Sequence, residues 1–326
     1  MQSVNWSDQV NAFDSNGQKF GIQGSPSLTA VGNTAYMAWT GLSGTYIWFA
    51  SIEANKPIWN PQTQVKGSNG TSFEADHTAP SITNIDDQQL FMCWKGKDSD
   101  AIYYSFYDIA ANSWSNQVKA SGQDGIPFST QDSPYATVVN GTLLMAWSGS
   151  GNDGIWYSTY KTGTKEWASQ IKAETSDGDS FHLQSSPAVA SVKDAPFLAW
   201  NGQANDGIWY SAMNQKLLDQ NWSVAQKAIG NESIAFNLVK SPALVTLPNT
   251  LFMTWNGITM DSLWYSFYDA DTNQWVPQAK VKSESGELFG ANDSSPGAAA
   301  TSDHLLVSWN GIGKDGIWFT WGTPVG

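Results

Sequence analysis

Asp153-Gly154-Ile155-Trp156-Tyr157-Ser158 decides how this chain folds, because its pattern returns at a nearly constant interval. The core of the motif reappears as Ile47-Trp48-Phe49, Ile102-Tyr103-Tyr104, Ile208-Trp209-Tyr210, Leu263-Trp264-Tyr265 and Ile317-Trp318-Phe319. Ahead of each copy stands an apolar run ending in Trp, with Gly two residues on. These are Trp39, Trp94, Trp147, Trp200, Trp255 and Trp309, spaced 53–55 residues apart. Further upstream a Pro opens another apolar run, at Pro26, Pro80, Pro134, Pro187, Pro242 and Pro296. Downstream an outer Trp precedes polar residues, at Trp59, Trp114, Trp167, Trp222 and Trp275. Each copy therefore reads as four short β-rich segments separated by Gly, Asn, Asp and Ser clusters, the mark of a repeat array.

The sixth outer Trp is found at the other end of the chain. Asn5-Trp6-Ser7-Asp8-Gln9-Val10 resembles Asn112 to Val118, and Trp6 stands 53 residues before Trp59. An N-terminal strand that completes the last unit closes a ring, which an open solenoid does not need. The fold expected is all-β: a six-bladed β-propeller with four antiparallel strands per blade, its last blade closed by the N-terminal strand. One domain covers 1–326, with blades at about 25–66, 79–119, 133–173, 186–229, 241–282, and 295–321 plus 3–10. Apolar residues on both faces of the inner strands fit blades sandwiched between neighbours.

Composition limits the partners. The 326 residues include 18 Trp, and 41% are hydrophobic, enough for a large core. Sixteen basic residues, all Lys, face 29 acidic ones for a net charge of −13. Such a surface repels nucleic acid and anionic lipid, and without Arg it lacks bidentate carboxylate or phosphate recognition. No apolar run approaches membrane-spanning length. Cys93 sits in an apolar run and reads as a buried, inert thiol. His77, His182 and His304 lack ligand spacing, so no metal or other cofactor is expected. The N-terminus shows no signal-peptide pattern, which suggests a cytoplasmic or non-classically exported protein.

In antiparallel order, the loops between second and third strands share one face of the disc with the crossovers between blades. An Asp recurs in that loop at Asp100, Asp153, Asp206, Asp261 and Asp315, with Thr45 in copy one. A crossover Phe recurs at Phe20, Phe73, Phe128, Phe181, Phe236 and Phe289. The Trp and Phe suit a core role, and the Asp suits a turn. They also suit sugar recognition: an indole face receives a sugar's C–H face while a carboxylate or amide bonds its hydroxyls. The candidate ligand-binding residues are Trp94, Asp100, Trp147, Asp153, Trp200, Asn201, Asp206, Trp255, Asn256, Asp261, Trp309, Asn310 and Asp315. Several weak sites on one disc would act through avidity.

With its Trp-x-Gly and Asp-Gly-Ile-Trp-Tyr-Ser repeats, the whole chain resembles the repeat-built β-propeller lectins. The resemblance implies inter-blade sugar sites and a carbohydrate-binding protein whose partners are glycans or glycoconjugates. The six-bladed fucose-binding fungal lectins use an Arg at their sites, and this chain has none. The motif faintly echoes the sialidase Asp-box with a different spacing, and sialidases grip a carboxylate with an Arg triad. Two alternatives stand beside a non-enzymatic lectin. One is a protein-interaction scaffold. The other is a glycoside hydrolase with a central site, for which Asp76, Asp132 and Asp293 are candidate carboxylates.

Overall fold

The computed structural model describes residues 3–42, 44–213, 221–230, 233–259 and 262–325, without the side chain of Lys314. The repeats form six antiparallel sheets whose innermost strands follow the repeated Pro, where a missing N–H costs no ladder bond. These strands are Ser27–Val31, Ser81–Asn84, Tyr135–Val139, Ala188–Val192, Ala243–Leu247 and Gly297–Ala300. Each pairs with a second strand, as Tyr135–Val139 does with Thr142–Ser148, and that with a third, Ile155–Lys161. The outer strand is made of two short pieces in most blades: Glu166–Trp167 and Ile171–Lys172 both pair with Ile155–Lys161. The inner strands neighbour one another in turn and return to the start, so the sheets form a six-bladed β-propeller.

An innermost strand has a free edge that needs partners for its backbone N–H groups. Hydroxyls from neighbouring blades supply several. Ser27 Oγ accepts the N–H of Ile82 at 3.0 Å, and Thr29 Oγ1 that of Asn84 at 2.9 Å. Nearer the mouth, Ser133, Ser295 and Ser25 Oγ accept the N–H groups of Ala79, Ser241 and Ser295.

The crossover Phe joins blades in a second way. The backbone of Phe73 accepts from Ile47 N–H and donates to Val65 O, so its main chain belongs to blade one. Its ring stacks on Trp94 of blade two at 5.0 Å. Phe20–Trp39, Phe128–Trp147, Phe181–Trp200, Phe236–Trp255 and Phe289–Trp309 repeat the stack at 4.8 to 5.6 Å. Such pairs contribute about 0.5–1.5 kcal/mol beyond the area they bury. The hairpin before each Phe also bridges to the next blade's outer Trp, as Gly67 does to Trp114 and Gly122 to Trp167.

The N-terminus closes the ring. Ser3–Trp6 pairs antiparallel with residues 322–325, and Val10–Asn11 with Phe319 and Trp318. Trp6 bridges to Ser283 of the fifth crossover, and its ring lies 5.6 Å from Tyr265. Trp6 thus occupies the outer position of blade six.

Candidate functional site

The structure corrects the expected role of the second-strand Trp residues. Trp94, Trp147, Trp200, Trp255 and Trp309 are at most 2% exposed, each sandwiched against its Phe. Trp94 and Trp200 also donate their indole N–H to the carbonyls of Glu74 and His182. They offer no face to a ligand. Asn201, Asn256 and Asn310 are buried as well. Asn256 Nδ2 donates to the carbonyls of Asn292 and Ser294, and Asn310 Nδ2 to that of Gly24, so both tie one blade to the next crossover. Asn201 Nδ2 bonds Asn205 Oδ1 at 2.6 Å. These amides are committed to the fold rather than to sugar hydroxyls.

The loop Asp stays at the surface, and its partner is the Trp of the third strand. Asp153, Asp206 and Asp315 Oδ1 accept the indole N–H of Trp156, Trp209 and Trp318 at 3.0, 2.8 and 2.8 Å. Copy two has Tyr103, which carries no indole N–H. Asp100 there accepts from Ser150 Oγ at 3.2 Å and lies 3.9 Å from Lys95 Nζ. Asp261 lies outside the described residues.

This pairing explains the Gly of Trp-x-Gly. A Cβ on Gly202 would stand 1.9 Å from Asp206 Oδ1 and 2.5 Å from the Trp209 ring. Gly149 and Gly311 are equally crowded by Asp153–Trp156 and Asp315–Trp318. The bare backbone is where the half-buried third-strand aromatic rests. Beyond it lies a Lys of the outer strand: Lys227 Nζ sits 5.2 Å from the Trp209 ring and Lys280 Nζ 5.1 Å from that of Trp264, both within cation–π range. Lys227 also reaches Asp206 at 3.4 Å.

At one blade junction this aromatic forms a groove with the preceding hairpin. Between blades four and five, Gly230, Ile234 and Phe236 from the hairpin face Trp264, Pro277 and Gln278 around a cavity of about 180 Å³. Ile234 is 52% exposed at its lip. Gln278 stands three residues after the outer Trp275, and Gln9, Gln62, Gln117 and Gln170 hold the same place after Trp6, Trp59, Trp114 and Trp167. Two of them reach the neighbouring hairpin: Gln9 Nε2 donates to Glu287 Oε1 at 2.9 Å, and Gln62 Nε2 to the Lys19 carbonyl at 3.5 Å. Trp156, Trp209, Trp264, Trp318 and this Gln series are absent from the sequence-derived candidates. Their signal was the repeated hexapeptide itself, together with a Gln at constant spacing.

At the axial mouth the three candidate carboxylates are not equivalent. Asp76 Oδ2 is 2.8 Å from Lys95 Nζ, and Asp293 Oδ2 is 3.6 Å from Lys240 Nζ. Asp132 Oδ1 accepts the N–H of Ser133 at 2.7 Å and forms no ion pair among the described residues. Among those residues, no three His, Cys, Asp or Glu side chains are grouped to hold a metal ion. Cys93 is buried, and desolvation pushes its thiol far above the usual range.

No protein-family model and no curated protein sequence matches the chain. Solved structures share its fold. A fucose-specific lectin from Aleuria aurantia superposes with a TM-score of 0.60 at 13% identity, covering 93% of this chain and 96% of that one. A Hadza microbial sialidase gives 0.62 at 10% identity over 91% of this chain and 65% of its own. The Trypanosoma rangeli sialidase gives 0.56 at 11% identity, covering 100% of this chain and 60% of that one. The architecture is a six-bladed β-propeller, a fold shared with this fucose-specific lectin and with both sialidases.

Proposed function

We propose that the protein binds carbohydrate without transforming it, through several inter-blade grooves that act together. The observation that carries this reading is the Trp264 groove, where a half-buried indole, Ile234 and Pro277 form an apolar wall beside the amide of Gln278. An apolar wall with a few polar groups suits a sugar ring, whose C–H face packs on the aromatic while its hydroxyls bond the amide. The third-strand aromatic recurs in all six blades, which supports multivalent capture of clustered glycans. Glycosidic cleavage normally needs two carboxylates poised across the scissile bond. The Lys partners of Asp76 and Asp293 favour binding over hydrolysis.

A glycan array on the purified protein, paired with haemagglutination, tests the proposal. Saturable binding to a defined glycan class that weakens in Trp264→Ala supports it. An empty array with no agglutination, or glycosidase turnover abolished by Asp132→Asn, overturns it.

A further inference from the structure

The residue after each second-strand Trp ties its blade to the next crossover in several copies. Thr40 Oγ1 donates to the Thr78 carbonyl at 2.8 Å, and Asn256 and Asn310 reach across in the same way. Blade three carries Ser148 at this place. Its side chain is too short to cross: Ser148 Oγ is buried and has no hydrogen-bond partner among the described residues. A cavity of about 350 Å³ opens there between blades three and four.

Polar side chains line this cavity. Gln131, Asp132 and Asn152 come from blade three, and Gln184 and Ser185 from the entry to blade four. Gln131 and Gln184 receive backbone N–H groups from Gly151 and Ala204 on their amide oxygens, at 3.4 and 3.3 Å. This orientation leaves their NH₂ groups as donors. Asp132 supplies a carboxylate without a cationic partner among the described residues, and it also lines the axial mouth next door. Across that mouth Lys240 is engaged by Asp293. The cavity thus offers one uncompensated negative charge and two amide donors.

We propose that this cavity is a single-copy site for a hydroxylated amine, a hexosamine with a free amino group. The ammonium meets Asp132, and ring hydroxyls meet the amides of Gln131 and Gln184. A charge-assisted bond of this kind selects the protonated amine over its neutral acetylated form. The site differs from the rim grooves in residues, position and copy number, so it does not depend on the lectin reading.

Calorimetric titration of the full-length protein with D-glucosamine, D-galactosamine and N-acetyl-D-glucosamine tests it. The expected result is one saturable site for a free hexosamine, with the acetylated sugar weaker by roughly tenfold or more. Asp132→Asn weakens the amine by a similar factor. Ser148→Asn, which restores the side chain used in blades five and six, reaches toward the next crossover, narrows the cavity and weakens binding. Circular dichroism and any rim glycan binding should be unchanged in both variants. No heat of binding, equal affinity for the acetylated sugar, or undiminished binding in both variants overturns the proposal. Loss of array binding with hexosamine binding intact would count against the rim grooves alone.

Discussion

Asp206 Oδ1 accepts the indole N–H of Trp209 at 2.8 Å, three residues along the chain, and both side chains lie over the bare backbone of Gly202. The loop carboxylate therefore orients the third-strand aromatic of its own blade. Gly202→Ala forces this pair to shift and should cost about 1–3 kcal/mol, as overpacking does. Because the two positions touch, Gly202→Ala and Asp206→Ala should combine non-additively. Urea denaturation of the two single variants and the double variant measures this; simple additivity would show that Asp206 is not part of the clash.

Phe128 holds blade two and blade three together through its backbone and ring. Its amide donates to the Ala120 carbonyl, its carbonyl accepts from Ile102, and its ring stacks on Trp147 at 4.9 Å. Phe128→Ala should cost about 3–5 kcal/mol, the range for a buried aromatic truncated to Ala. Chemical denaturation reads the loss, and a change below 1 kcal/mol would contradict the inter-blade role.

A chain beginning at Gln9 loses the strand that covers residues 322–325 and empties the seat of Trp6 beside Tyr265. An exposed strand edge seeks a new partner. Such a truncation should melt earlier and self-associate, visible as concentration-dependent elution in size-exclusion chromatography. A monomer with unchanged melting would show that the closure adds nothing.

Alkaline pH should unfold the protein through its buried phenols. Burial pushes Tyr104, Tyr107, Tyr157 and Tyr268 up to about 12, against an ordinary value of 10.0. The neutral form is the one the fold accommodates. Their contribution is therefore complete below 10.0 and is lost as pH rises from there toward about 12. Glu74 has the opposite sign. Hydrogen bonds from Lys97 and Thr45 hold its carboxyl below the usual 4.5, so its contribution is present above 4.5 and fades as pH falls through the lowered value. Denaturation midpoints across pH, read with the tyrosinate absorbance band, should show phenol ionisation coinciding with unfolding. Ionisation of these tyrosines well before unfolding would contradict it.

If the rim grooves act together, their losses should show on clustered ligand before free sugar. Trp264→Ala should remove one site from the stoichiometry while agglutination falls only partly. Adding Trp156→Ala should lower avidity by more than the lost fraction of sites. Surface plasmon resonance at two glycan densities separates the effects; identical losses at both densities would argue against cooperation between grooves.

The ring was legible because its evidence is positional. Trp6 stands where copy six needs an outer Trp, and pairing of Ser3–Trp6 with residues 322–325 puts it there. The burial of the second-strand Trp is not legible from the sequence because two Trp series share one period. Trp200 and Trp209 face each other across adjacent strands, yet Trp200 lies under Phe181 while Trp209 is half-buried. Spacing alone does not say which of two paired indoles is covered, since the covering ring arrives from the preceding repeat. The Asp series was legible as a loop feature, but its bond to the third-strand indole needed coordinates. The cavity at Ser148 is not visible in the sequence because its cause is a shorter side chain at the position where other copies carry Asn.

The Phe that caps each second-strand Trp has its main chain in one blade and its ring in the next. The unit that was copied and the unit that packs are therefore offset by one crossover. Every repeat carries its own tongue and its neighbour's lid, so a duplicated segment arrives able to dock on both sides. Inheritance of this kind lets copies diverge in groove residues while the joint between them stays interchangeable.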